Sequence, residues 1–354
     1  MENITLIDPT QDPRWDQFVE NHSFGWICHL SGWKRVLESS FKHMKGHYFA
    51  LVGEDNRIKA GLPIYEVKSW LTGNRLVSIP FATLCDPLIS KSEDLNELLQ
   101  AAIKLSEKSK SSFIEIRTLS SGSLIQNEKL AKISNYKHHF LLLNEDPDHL
   151  KSKFHRTCVR QRISRAIESN LKMRIGDKKS DLHMFYNLHL ISRRRLSLPP
   201  QPFRFYESLW EVFLPAKQLT LLVAEADGKD IAAIILLKYK DRVSAEFAVS
   251  DESYKNMSPN HFLFWEAIKM SYDEGYKVFD FGRTSPSNKS LMDFKKRWAT
   301  KMIDLPQYYY PEKIAIDSVE RENSMGYKLV SAICSRAPDS VLKIIGNISY
   351  RHLG

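Results

Sequence analysis

Two stretches decide the fold: AIKLSEKSKSSFIEIR, from Ala102 to Arg117, and AIKMSYDEGYKVFDFG, from Ala267 to Gly282. At an offset of 165 they match as Ile103/Ile268, Lys104/Lys269, Ser106/Ser271, Ile114/Phe279, Glu115/Asp280 and Ile116/Phe281. Each reads as an amphipathic helix, a short polar break, then a strand alternating large apolar and acidic residues. A second correspondence lies upstream at an offset of 172, pairing YFALVGEDNRIKAGLPIYEV (Tyr48–Val67) with TLLVAEADGKDIAAIILLKY (Thr220–Tyr239). Both read as strand, tight turn, strand, and the turn residues Asp55-Asn56 and Asp227-Gly228 suit a hairpin. The same offset sets Trp33, Leu37 and Phe41 on Phe205, Leu209 and Phe213, at spacings that share one helix face. Each half therefore runs helix, hairpin, further strand, helix, strand, and the chain is read as a tandem duplication.

The expected fold is α+β: two modules of mixed sheet with flanking helices, over residues 1–145 and 146–312. A tail over 313–354 carries short helical patterns around Tyr327–Arg336 and Asp339–Tyr350. Antiparallel hairpins with a helix feeding a late strand follow the plan of an N-acetyltransferase-like (GNAT) module. That analogy concerns fold and carries no chemistry.

Composition narrows the field. The 354 residues suit two domains of moderate size, and 43% apolar with 26% charged residues is ordinary for a folded, soluble chain. The net charge of +9 and pI near 9.2 favour an anionic partner such as nucleic acid, a phosphorylated substrate or an acidic membrane surface. No apolar run is long enough to span a bilayer, and the polar, acidic N-terminus lacks the apolar core of a signal peptide. Cys28, Cys85, Cys158 and Cys334 are far apart, so neither a disulfide framework nor a Cys-rich metal site is expected, and the cytoplasm is the natural compartment.

Several motifs fail. Asp280-Phe281-Gly282 spells DFG, but no Gly-rich loop or HRD segment accompanies it, so a kinase is excluded. His138-His139 is read as a strand-edge pair rather than a metal site. The loops that would cradle a coenzyme A pyrophosphate, PFATLCDPLISKSED and SYKNMSPN (Ser253–Asn260), contain no glycine, which disfavours acyl-CoA held in the usual way.

Three stretches resemble the FemAB family, the aminoacyl-transferring enzymes of peptidoglycan interpeptide bridges: RLVSIPFATLCDPLIS (Arg75–Ser90), VRQRISRAIESNLKMRIG (Val159–Gly176) and SPNHFLFWEAIKMSYDEGYKVFDFGRTSPSNKSLMDFKKRW (Ser258–Trp298). The nearest flavour is the branch associated with exopolysaccharide and protein-sorting systems. Ala299 stands where the family often has Gly, and the long coiled-coil arm of several Fem factors is absent. The resemblance implies an acyl or aminoacyl transfer to an amine of a nucleotide- or lipid-linked envelope precursor, with aminoacyl-tRNA or acyl-CoA as donor and with no cofactor or metal. It leaves open a place at the inner face of the membrane.

Residue by residue, the resemblance maps the lysine of the FK motif onto Lys295, a cation suited to a developing oxyanion. Asp280, at the end of its strand, is a candidate to orient or deprotonate the amine, with Glu115 its structural counterpart in the first half. Gly282 gives the turn after the strand its backbone freedom, Arg283 is placed to read a phosphate or carboxylate, and Asn260 is an N-cap able to meet an anion. Arg204 and Tyr206 stand near the helix with which Fem enzymes hold the acceptor. A basic helix over 151–174 carries Arg156, Arg160, Arg162 and Arg165 on a face opposite Val159, Ile163, Ala166 and Ile167, and is the expected contact for tRNA or another polyanion. On the helix entered at Leu291, Leu291, Phe294 and Trp298 are expected to take the buried face. A second functional class stays open, a non-catalytic envelope-assembly protein whose apolar and basic C-terminal tail lies on a membrane.

Overall fold

A computed structural model of the chain describes residues 3–312 and 325–353. The chain begins with β1 (Asn3–Ile7), α1 (Arg14–Asn21), α2 (Ser31–Ser40), β2 (Met44–Val52), β3 (Ile58–Val67), β4 (Arg75–Val77), α3 (Ser92–Ser109), β5 (Ile114–Arg117) and β6 (Ala131–Leu142). It continues through α4 (Pro147–Lys153), α5 (Gln161–Glu168), β7 (Lys172–Gly176), α6 (Lys179–Arg195), α7 (Phe203–Phe213), β8 (Leu219–Ala226), β9 (Lys229–Tyr239) and β10 (Arg242–Ser250). Then follow α8 (Pro259–Asp273), β11 (Val278–Thr284), α9 (Lys289–Lys296), β12 (Lys301–Tyr310), α10 (Met325–Cys334) and α11 (Asp339–Ser349).

These elements form two compact units. The first gathers Met1–Asn135, Asp304–Lys328 and Gly346–Gly354, the second Tyr136–Ile303 and Leu329–Ile345. In the first, β1, β2, β3 and β4 pair antiparallel, β4 runs parallel to β5, and β12 closes against β5 antiparallel. In the second, β7, β8, β9 and β10 pair antiparallel, β10 runs parallel to β11, and β6 closes against β11 antiparallel. The duplicated order is the one the two offsets predict. The sixth strand is traded, however: β6 follows β5 in the chain yet pairs with β11, and β12 follows β11 yet pairs with β5. That trade is why the segment beginning at Asp304 belongs with the first unit, while the sequence boundary at 145 falls inside the second.

Periodicity explains the cores. On α3, Leu95, Leu98, Leu99 and Ala102 are buried against strands β2 to β5 at helical spacing. The corresponding α8 buries Phe264, Trp265, Ala267 and Ile268 against β8 to β11. Trp33, Leu37 and Phe41 are buried, as are Phe205, Leu209 and Phe213. The β8–β9 turn is closed by Asp227 and Gly228, both at positive φ, as a two-residue hairpin loop requires.

Four local expectations are corrected. The basic stretch is not one helix. Phe154 is extended and ends α4, the His155 side chain caps a short π-helical turn over Arg156–Arg160, α5 follows, and Lys172 and Arg174 lie on β7. Ile167 is exposed because the buried face of α5 needs only Ile163 and Ala166 beside Val159. On α9 Met292 and Lys295 turn inward and Leu291 is exposed, because the lysine is tied to the neighbouring strand, whereas Phe294 packs on the core and Trp298 is fully buried as expected. His138 and His139 are fully buried, since β6 is paired with β11 along its second half.

Ala299 follows the end of α9 at φ 55°, a left-handed conformation that costs a residue with a Cβ about 1 kcal/mol or more. Ala299→Gly is expected to stabilise the second unit by about 1 kcal/mol, read as a rise in its urea midpoint.

Candidate active site

In the second unit the parallel pairing of β10 with β11 runs from Arg242/Val278 to Ser244/Asp280 and then stops. Just past that point both strands are irregular. β10 bulges between Ala245 and Phe247 in its pairing with β9, and β11 bulges between Asp280 and Gly282 in its pairing with β6. Gly282 takes φ 72°, which a residue with a Cβ rarely adopts, so the bulge is written into the sequence by that glycine. The candidate side chains gather where the two strands part.

Asp280 is 1% exposed. Its carboxylate accepts from the Arg242 guanidinium at 2.8 Å and the Gly282 N–H at 2.6 Å, and His138 Nε2 lies 3.2 Å away. Burial alone would raise its pKa, but His138, Arg242 and the Gly282 N–H outweigh burial and hold it at about 2. Such a carboxylate does not take protons near neutrality; it anchors the strand and fixes the local field.

Lys295 reaches the same place from α9. It is 6% exposed, and its ammonium donates to the carbonyls of Gly282 at 3.0 Å and Arg283 at 2.9 Å. An ammonium has three N–H donors, and these two bonds leave the third for a ligand. Burial lowers its pKa to about 8 against the opposing pull of Asp280 and Glu246, so it stays mostly cationic at neutral pH. His139, beside it on β6, faces Met292 Sδ at 3.1 Å and is held neutral, its pKa pushed to about 4 by burial and by Lys295.

Glu246 is the residue that sequence reasoning missed. It sits at the β10 bulge, deeply embedded yet with part of its surface open, and accepts from Ser244 Oγ at 2.7 Å. Burial first, and then Asp280, push its pKa up to about 7, against Ser244, Lys295 and Arg283. An acidic residue in the EF pair of Ala245-Glu246-Phe247 was visible in the sequence; the bulge that sets it beside Lys295 was not.

A cavity of about 430 Å³ opens in the same unit at the N-terminus of α8. Arg162, Arg195, Lys255 and Arg297 line it, with Glu252 as the carboxylate among them. Glu252 binds Arg195 at 2.6 Å and lies 3.7 Å from Lys255, while Arg162 and Arg297 form no ion pair among the described residues. His261 in the wall is neutral, its pKa lowered to about 4 by burial and by Arg162. Asn260 is the second residue of α8 rather than its cap, because Ser258 takes the cap position in a left-handed conformation and Pro259 opens the helix. Its amide nitrogen donates to Ser250 Oγ at 3.1 Å, while its buried Oδ1 has no hydrogen-bond partner. Net positive charge makes this recess suited to a phosphate-bearing ligand, while the orphaned Asn260 Oδ1 is an acceptor for a hydroxyl or amine of such a ligand.

Helix α9 links the two places, with Lys295 on the β11 side and Ser290 and Phe294 on the cavity side. Of the four basic-stretch arginines, Arg162 lines the cavity, whereas Arg156 and Arg165 are exposed elsewhere and Arg160 is half-buried. Arg283 lies over the Tyr136 ring at 4.8 Å. Arg204 and Tyr206 do not join the cavity lining. Arg204 is ion-paired with Glu207 on the surface of α7, and Tyr206 is fully buried among Phe185, His189 and Phe247 because its face of α7 is the packing face. In the first unit the counterpart carboxylate Glu115 is bound by Arg117 at 2.8 Å, and Arg117 also donates to Ala82 and Ser78 carbonyls. Structural hydrogen bonds therefore fill that position.

Residues 153–296 match the family model described as an acetyltransferase (GNAT) domain. The chain is 18% identical over 325 residues to a UDP-N-acetylmuramoylpentapeptide-lysine N(6)-alanyltransferase of Weissella viridescens, covering 88% of this chain and 95% of that protein. The crystal structure of FemX superposes with a TM-score of 0.71 at 14% identity, over 90% of this chain and all of that one. A tandem GNAT protein from the clavulanic acid biosynthesis pathway gives a TM-score of 0.56 at 11% identity, over 88% of this chain and 99% of the other. The fold is thus the FemAB-type, acetyltransferase-like one, in tandem.

Asp280 has its pKa depressed in the folded state, so the stability it contributes is full above about pH 4 and is lost as pH falls toward 2. Asp280→Asn is expected to remove this contribution, about 2 kcal/mol. Urea midpoints measured from pH 5 to pH 2 should then fall less steeply for the variant than for the wild type.

Proposed function

We propose that this FemAB-type chain is a transferase that moves an aminoacyl group from aminoacyl-tRNA to an amine of a peptidoglycan or exopolysaccharide precursor, nucleotide- or lipid-linked. The observation that carries the reading is the convergence of Glu246 and Lys295 at the parting of β10 and β11, close enough for each to shift the other's pKa. Near neutrality one is a carboxyl able to exchange a proton and the other a cation with a donor to spare. A cytoplasmic site suits the donor, and a lipid-linked acceptor would bring the enzyme to the inner membrane face.

The chemistry follows from these groups. The acceptor nitrogen attacks the ester carbonyl carbon, and the C–N bond forms as Glu246 takes a proton from the nitrogen. The carbonyl oxygen becomes an oxyanion, stabilised by the third N–H of Lys295. When the C–O bond breaks, the proton passes from Glu246 to the departing 3′-oxygen of the tRNA, and the carboxylate is restored. Asp280, Arg242 and the two strand carbonyls fix Lys295 before the reaction, so little reorganisation is needed during it. The cationic cavity receives phosphates of the donor.

Acyl-CoA is the alternative donor, supported by the GNAT domain match. Against it, the segment before α8 is a glycine-free 3₁₀ turn and the helix opens with a proline, leaving fewer backbone N–H groups for a pyrophosphate. Calorimetric binding of acetyl-CoA in the low-micromolar range would make it the donor. A non-catalytic role is tested by mass spectrometry of envelope precursors from a deletion strain: unchanged precursors would support it.

With an aminoacyl-tRNA donor, the rate should rise with pH through about 7 as Glu246 ionises and fall above about 8 as Lys295 loses its proton. Glu246→Gln should lower kcat/KM by about 10²–10³ and remove the acid limb. Lys295→Met should lower turnover by a similar factor. Because the substitution strips two buried carbonyls of their donor, it should also cost about 2 kcal/mol of stability, visible in chemical denaturation.

Replacing both Arg162 and Arg297 by Ala should weaken tRNA binding and reduce the slope of log K against log salt by about 1.5. Filter binding across a salt series reads both. A slope equal to that of the wild type would remove these two residues from the donor site.

A further inference from the structure

We infer that the first unit docks on an anionic phospholipid surface through the loop carrying Trp70 and Leu71 together with the C-terminal end of α11. This deepens the membrane contact of the proposed function and can be tested without any acyl donor.

The loop between β3 and β4 presents Trp70 at 87% and Leu71 at 64% exposure. The other six tryptophans of the chain, Trp15, Trp26, Trp33, Trp210, Trp265 and Trp298, are all buried. The exposed pair is held outward by its surroundings. Ser69 Oγ accepts from the N–H groups of Leu71 and Thr72 at 3.2 and 2.9 Å and meets His352 Nδ1 at 2.9 Å. Buried Arg75 donates to the His352 carbonyl at 2.9 Å and to Thr72 Oγ1 at 2.8 Å. The Trp70 ring stands edge-on to the His352 ring at 5.1 Å. The turn is therefore pinned at its base, with its two largest apolar side chains left in water.

The C-terminus extends the apolar surface. At the end of α11 Tyr350 is buried, but Ile348 is 53% exposed and Leu353 beyond it is 42% exposed. A basic rim surrounds this surface. Lys68, 63% exposed, is bonded through its backbone N–H to the His43 carbonyl, and His43 Nε2 lies 3.2 Å from the Leu353 carbonyl. Lys42 and Lys45 flank His43 and are exposed, as is Arg351. Of the carboxylates nearby, Glu66 is buried between His47 and Lys68, and half-buried Glu38 is paired with Lys34 and accepts from the Gly46 N–H.

Tryptophan with aliphatic neighbours suits the interfacial layer of a bilayer, and a ring of lysine and arginine suits acidic headgroups. Each such cation near an acidic surface contributes about 1 kcal/mol, so modest insertion and charge together give reversible, salt-sensitive binding. A protein partner would not need this combination of a pinned aromatic tip and a predominantly basic rim.

The test uses the full chain and sucrose-loaded vesicles of phosphatidylethanolamine with 30 mol% phosphatidylglycerol, compared with phosphatidylcholine alone, at two salt concentrations (composition chosen as roughly that of an acidic bacterial leaflet). The wild type should sediment with the acidic vesicles, more at low salt, and its tryptophan emission should shift to the blue. Trp70→Ala with Leu71→Ala should lower the partition coefficient at least about tenfold. Trp70→Phe should abolish the emission shift while keeping most of the binding. Failure of the wild type to bind acidic vesicles, or equal binding by the double variant, overturns the inference. If the double variant instead converts a dimer to a monomer in sedimentation velocity with vesicle binding unchanged, the surface belongs to a second copy. Turnover of a soluble, nucleotide-linked acceptor should be the same in the double variant and the wild type, which separates failure of the docking surface from failure of the chemistry.

Discussion

Everything at the candidate site depends on two strands ceasing to pair. β10 and β11 run parallel for three residue pairs and then separate, each with a bulge just past the last pair. A bulge adds a residue to one strand and turns its side chains and carbonyls out of register. On β11 it aims the Gly282 and Arg283 carbonyls at Lys295; on β10 it brings Glu246 to the same opening. Two buried carbonyls without donors would be costly, so the lysine serves the strand as much as the strand holds the lysine. Asp280 locks the arrangement from below through Arg242 and the Gly282 N–H.

The titrating groups there differ because their partners differ. Asp280 is a buried carboxyl and Glu246 a half-buried one. The first has a guanidinium, a histidine and a backbone N–H against it and stays ionised; the second has a serine hydroxyl and a neighbouring carboxylate and is raised toward neutrality. A pair of carboxyls driven apart in this way differs in charge near neutrality, which is what the proposed division of roles rests on.

The duplication has kept its architecture in both units, and the proposed site lies in the second. In the first unit, Arg117 occupies the place beside Glu115, binding the carboxylate and two carbonyls, and its exposure is only 3%. What this unit offers instead is surface: a pinned loop with Trp70 and Leu71 and a C-terminal segment with exposed Ile348 and Leu353.

The sequence by itself determined the two modules and the order of elements along each: helix, hairpin, further strand, helix, strand. Helix and strand periodicities and the Asp227-Gly228 turn are local properties, and repetition at two offsets made them legible. It also singled out Lys295, Asp280 and Gly282, which the tertiary structure gathers at one point. The trade of β6 and β12 was beyond it, because strand pairing between segments far apart in the chain leaves no local mark. Glu246 was beyond it for the same reason, since a glutamate in an alternating strand looks like any other until a bulge and a parting neighbour decide what it faces. Tyr206 shows the converse: its position near a promising motif suggested a ligand contact, and the rotation of α7, set by which face had to be buried, put its ring into the core.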